Sequence, residues 1–221
     1  MELMTKKKKT ADKAKKTTKP KAKETLKTKA KKPTAAEMRV AIAKDVLKQL
    51  GKGSYVPRCG TWVHDSKLGD VSDFLSCKLT KGHTSVNTKE FTDNMERCEV
   101  CVLGSIFLSQ TRLGSTVFRS PVEAWDLFEF PENGPLGKYF TSNQLQQMEV
   151  CFEGEDAYHT DDMNIAQLVE GHAYYNSYRK ADQRFSKIME NLVRNKGEFI
   201  PHQDVSKDQL IKALNKQAAY L

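Results

Sequence analysis

Residues 98–112 read CEVCVLGSIFLSQTR, a stretch that is apolar on nearly every side when wound as a helix. A helix without a polar face has nothing to give to water and belongs at the centre of its domain. A central helix over about 97–112 is therefore expected, with the other elements packed around it.

Its neighbours are marked by side-chain chemistry at helix starts. In a capping box a Ser or Thr oxygen takes one orphan amide, and a Glu or Gln three residues on takes another. Thr34…Glu37, Ser120…Glu123, Thr141…Gln144 and Ser206…Gln209 all have this spacing. Pro121 sits where a missing N–H does no harm, and Phe140 and Val205 can staple onto Leu145 and Leu210. These boxes, and apolar periods elsewhere in the chain, predict helices over about 35–50, 121–129, 142–153, 182–195 and 206–219, with another lying within 163–176. The clearest is 182–195, where Phe185, Ile188, Met189, Leu192 and Val193 form one stripe. Strand signals are few: Gly60–Val63, and Thr116–Phe118. The polar, turn-rich stretch 64–94 reads as a long loop or insertion. The expected class is mainly α with minor β: a single domain of about seven helices over 34–221, preceded by a disordered basic tail over 1–33.

Charge is divided sharply between these parts. The chain holds 36 Lys+Arg and 28 Asp+Glu. Residues 1–33 take 14 lysines and three acids, for +11, which leaves 22 basic against 25 acidic groups, or −3, in the rest. The pI near 9.1 is thus a property of the tail, and the body is slightly acidic. The tail is built of Lys, Ala, Thr and Pro, so it cannot bury enough apolar surface to offset its ordering entropy. A mobile polycation binds polyanions by counterion release. The candidate phosphate contacts are Lys6, Lys7, Lys8, Lys9, Lys13, Lys15, Lys16, Lys19, Lys21, Lys23, Lys27, Lys29, Lys31 and Lys32. The tail has no arginine, the residue favoured for bidentate base reading, so contact is expected to be non-specific. Its composition resembles that of linker-histone tails; the plainer alternative is a solubilising spacer.

No apolar run approaches the ~18 residues of a membrane span. Met1–Lys9 starts charged with no apolar stretch after it, so no secretory signal is expected. The five cysteines, an odd number, then read as reduced thiols in a cytoplasmic protein, or a nuclear one if the host has a nucleus.

CEVCVLGSIFLS is similar to the C-x-x-C-A-L-G-A core helix of a family of small phage- and bacterium-encoded proteins. RVAIAKDVLKQL, YVPRCGTWV, QLQQMEVCFEG and RFSKIMENLVRNKGEFIP resemble segments in the same order there, so the likeness spans most of 38–201. The basic tail and the 64–94 stretch lie outside the pattern. The resemblance implies a small accessory protein acting on a host process; it implies no catalytic residue and no cofactor.

Candidate chemistry is sparse. Cys98-x-x-Cys101 lacks the second pair of a four-cysteine zinc site, so a metal centre would need the fold to bring in Cys59 and Cys77, with His64 or His83. On one helix, Cys98 and Cys101 would share a face and act as small core residues. Cys151 sits among Glu149, Glu153, Glu155 and Asp156, which would raise a thiol pKa rather than activate it. The acidic run Glu153, Glu155, Asp156, Asp161, Asp162 lacks the ligand alternation of a calcium loop and reads as a solvated loop, or as an internal partner for the tail. Tyr174, Tyr175 and Tyr178 beside Arg179, Lys180 and Arg184 could stack bases, although a core edge with hydroxyls reaching water explains them as well.

The function expected from these features is a non-enzymatic accessory binding protein of phage type. Its tail would contact nucleic acid or another polyanion, and its body an unknown protein partner. The alternatives are a stoichiometric inhibitor of a host or defence protein, and a cysteine-based metal or thiol enzyme.

Overall fold

The computed structural model describes residues 32–71, 73, 92–114, 134–157 and 163–219, with the backbone of 86–87 and 117–118. The chain divides at Lys32–Pro33 into two units. The second unit, Pro33–Leu221, is mostly helical. Among the described residues it carries six α-helices: α1 (Ala35–Gly51), α2 (Val102–Leu113), α3 (Ser142–Glu153), α4 (Ile165–Ser177), α5 (Ala181–Arg194) and α6 (Lys207–Ala218). Short strands are β1 (Tyr55–Pro57), β2 (Val63–Asp65), β3 (Gly69–Asp70), β4 (Val86–Asn87), β5 (Cys98–Val100) and β6 (Val117–Phe118). The expected helix over 121–129, its Ser120…Glu123 box and Trp125 lie outside the described residues.

Helix starts obey side-chain chemistry. The boxes at Thr34/Glu37, Thr141/Gln144 and Ser206/Gln209 are all closed. A further box, Asn164/Gln167, opens α4, with an amide oxygen where the Ser/Thr pattern expects a hydroxyl.

α2 is central, as its composition requires: every residue from Val102 to Thr111 is buried. Its start differs from expectation. Residues 98–100 are not helical; they form β5, the inner strand of a four-stranded sheet ordered β1-β5-β2-β3. β5 runs parallel to β1, with Tyr55 opposite Cys98, and antiparallel to β2, with Val63 opposite Val100. A buried strand leading straight into a buried helix has no change of polarity to mark the junction, so apolar periodicity cannot find it. β2 and β3 form a hairpin at the beginning of the polar 64–94 stretch.

Around α2 lie α1 and α3; α5 packs against α1 and α3, and α4 against α3. The main core joins Ile42 and Val46 of α1, Ile106 and Phe107 of α2, Met148 and Phe152 of α3, and Phe185, Ile188 and Leu192 of α5. Burying side chains of this size stabilises by roughly 1.5–3 kcal/mol each relative to exposure.

Candidate functional site

The Cys-x-x-Cys segment spans the strand-to-helix junction. Cys98, at the start of β5, donates from its thiol to Asp65 Oδ2 at 3.4 Å. Asp65 is fully buried and also accepts from the amides of Lys67, Leu68 and Glu96. Burial alone would raise its pKa, but these N–H groups outweigh it and hold the carboxylate below its ordinary value. Cys101 is the N-cap of α2, its backbone still extended and its Sγ accepting from the Gly104 amide at 3.4 Å. Its own amide donates to the Thr61 carbonyl at 2.7 Å, tying the helix start to the chain entering β2.

Gly104 completes the junction. A Cβ there would lie 1.9 Å from the Trp62 carbonyl oxygen and 2.7 Å from Val63 Cγ2. The absence of a side chain lets the first turn of α2 rest directly on β2. The two cysteines therefore do not share a helix face, and neither presents a reactive sulfur. Burial and the Asp65 carboxylate push the Cys98 thiol up to about 12. Burial raises Cys101 further.

The other candidate thiols are dispersed. Cys77 lies outside the described residues, as does His83. Cys151 is fully buried on α3 and its pKa is raised by burial, then by Glu170 and Asp204 rather than by the neighbours in sequence. Cys59 is half-buried in the turn between β1 and β2. No group of three or more His, Cys, Asp or Glu side chains among the described residues is placed to hold a metal ion.

The most densely built polar cluster surrounds Cys59. Arg184, on the first turn of α5, is 4 % exposed and aims inward. Its Nε donates to the Phe152 carbonyl at 2.8 Å, and its Nη1 to the carbonyls of Tyr178 and Arg179 at 2.9 and 3.1 Å. Its Nη2 donates to Cys59 Sγ at 3.2 Å. Phe152 lies in the last turn of α3 and Tyr178 caps α4, so one guanidinium satisfies orphan carbonyls and offsets the negative end of two helices at once. The Tyr175 ring covers the guanidinium, with its centroid 4.2 Å from Cζ. Gly154, at φ +74°, turns the chain beneath that ring, where a Cβ would come within 2.9 Å of it.

Glu153 is the third member. Its acidic run reads as a solvated loop in sequence, yet Glu153 is 5 % exposed and accepts from the Gly60 amide at 3.0 Å. Burial raises its pKa above the ordinary glutamate value, against the Gly60 amide, the Cys59 thiol and Arg184. Burial, and then the Glu153 charge, raise Cys59 despite Arg184. Asp156 is exposed, while Asp161 and Asp162 lie outside the described residues.

The tyrosine run is likewise turned inward. Tyr174 is fully buried, and the Tyr178 hydroxyl donates to the Asp204 carbonyl at 3.0 Å. With Arg184 buried and Tyr175 stacked upon it, this segment forms a core edge. Two more buried polar groups also brace the fold. Arg39 donates to the carbonyls of Gly197 and Tyr139 and to Glu198. The Asn191 amide exchanges hydrogen bonds with both the N–H and C=O of Ile200.

Of the candidate tail lysines, Lys32 alone is described, and it is exposed; the others lie outside the described residues. No helix among the described residues is long and apolar enough to cross a membrane. No protein-family model, curated protein or solved structure matches the chain. The phage-type likeness thus rests on its sequence segments alone. The Cys59–Glu153–Arg184 junction joins residues up to 125 positions apart, and no local motif marks it.

Proposed function

We propose that the chain is a non-enzymatic accessory binding protein of phage type. The lysine-rich segment 1–33 contacts nucleic acid or another polyanion without sequence preference. Residues 34–221, acting as one helical domain of about seven helices, bind a protein partner in the host cytoplasm, or in the nucleus of a eukaryotic host. The observation that carries this reading is the charge partition, +11 in 1–33 against −3 in the remainder. A net-negative body repels a polyanion, whereas a dense run of lysines releases the polyanion's counterions on contact.

The use of three of the body's arginines supports the same assignment. Arg39 and Arg184 are buried and spend their donors on backbone carbonyls, a glutamate and a thiol. Arg112 faces Asp45 at 3.5 Å. Such guanidiniums are engaged in holding elements together.

The test is fluorescence anisotropy with a labelled duplex of arbitrary sequence, comparing the full chain with a chain starting at Pro33. The expected result is loss of duplex binding in the shortened chain, with its helical circular dichroism retained. Equal affinity in the two chains would reject the tether.

A further inference from the structure

We propose that α6 is a strap that lifts from α4 as a unit while the rest of the body stays folded. The chain is firmly anchored up to Asp204. There the carboxylate accepts from Asn191 and Arg194, and the backbone carbonyl accepts from Tyr178. Beyond it, Val205 is extended and Ser206 caps a helix that supplies its own capping box. That helix needs nothing from the body to satisfy its first amides.

α6 lies close along α4, but it buries little apolar surface there. Ala213 is the one buried residue of α6. It meets Val169 and Ala173 of α4 in a small cluster separate from the main core, flanked by half-buried Val205 and Leu210. A polar tie between Gln217 Nε2 and His172 Nδ1 at 2.6 Å reinforces the contact. By contrast α4 is held from its other side, where Gly171 lies against Val150 of α3 and Tyr174 sits in the main core. α4 can therefore remain docked when α6 leaves. Ile211 and Leu214 of α6 are 46 % and 49 % exposed and leave about half of their surface in water in the docked state. Segments with few buried apolar contacts open at a free energy well below that of global unfolding, and a lone helix of twelve residues is marginal in water. Release bares Val169 and Ala173 on α4, beside the already exposed Ile165.

Amide hydrogen exchange read by peptide mass spectrometry on the full chain tests this. Peptides covering 207–219 are expected to exchange at least ~100-fold faster than those of α2 and α5, and to do so together as one unit. An Ala213→Asp variant, which puts a charge into the small cluster, is expected to speed exchange in 207–219 by a further ~10-fold or more and to leave α2, α3 and α5 unchanged. Protection of 207–219 equal to that of α2 in the wild-type chain overturns the proposal. So does acceleration spread evenly over all helices in the variant.

Discussion

Replacing Gly104 with alanine strikes the junction on which α2 and the sheet depend. The added methyl would stand 1.9 Å from the Trp62 carbonyl oxygen, 2.7 Å from Val63 Cγ2 and 2.8 Å from the Trp62 carbonyl carbon. A carbon settles against a carbonyl oxygen at about 3.3 Å or more, so a gap of roughly 1.4 Å has to open. Neither side can yield easily. β2 is paired on both edges, to β5 and to β3, and α2 is buried over ten successive residues. Overpacking of this kind costs about 1–3 kcal/mol. Parting the helix from the strand also strains the bond from the Cys101 amide to Thr61, and a buried donor left unsatisfied costs about 1–3 kcal/mol more. Alanine returns at most about 1 kcal/mol of helix propensity. The net expectation is a loss of about 2–4 kcal/mol, a large share of the ~5–15 kcal/mol stability of an ordinary domain. Urea denaturation monitored by circular dichroism reads this as a lowered midpoint at unchanged slope. Gly51→Ala is the control. Nothing lies within 4 Å of its Cβ position, and the change is expected to be neutral or to stabilise by up to ~1 kcal/mol. A Gly104→Ala midpoint at or above wild type would refute the close contact and the account of the motif as a packing junction.

Other substitutions test the remaining polar cluster. Arg184→Met is expected to cost about 3 kcal/mol or more, because the carbonyls of Phe152, Tyr178 and Arg179 lose donors together. Arg184→Lys should recover only part of this, since an ammonium cannot stack on Tyr175 and reach all three carbonyls; full recovery in thermal melts would contradict the clamp. For Glu153→Gln the expectation is the opposite sign at neutral pH. The folded-state pKa of Glu153 is raised, so the folded chain holds a proton that the unfolded chain has already released, and stability falls as pH rises through that window. The glutamine oxygen can still accept from Gly60 without a buried charge. Its advantage over wild type in urea midpoints should be larger at pH 7 than at pH 4.5; a wild-type chain more stable than the variant at pH 7 would remove the assigned burial cost.

Helix starts were the most legible part of the fold because they rest on local chemistry. Thr34, Thr141 and Ser206 bond amides three residues away, and such contacts are written in the sequence at fixed spacing. Asn164 obeys the same rule, but a pattern restricted to Ser and Thr passes over an amide-bearing cap. The helical reading of residues 98–100 failed for a different reason. Whether Cys98 lies on a strand is decided by Tyr55 and Asp65, partners more than thirty residues away. Cys101 is also an unusual N-cap, using sulfur where oxygen is the rule. The same distance effect hid the inward aim of Arg184 and the burial of Glu153. In sequence each belongs to a charged run that reads as solvated surface. In the folded chain Arg184 faces the ends of α3 and α4, whose unpaired carbonyls no periodicity records.

The charge partition is tested most directly by the salt dependence of duplex binding in two full-length chains. One is the wild type; in the other the 14 lysines of residues 1–33 are replaced by glutamine. The slope of log K against log salt is about −0.9 for each phosphate neutralised. A steep slope, on the order of −4 or steeper, is expected for the wild type and one near zero for the substituted chain. Equal slopes in the two chains would place the polyanion contact on the helical body and contradict it.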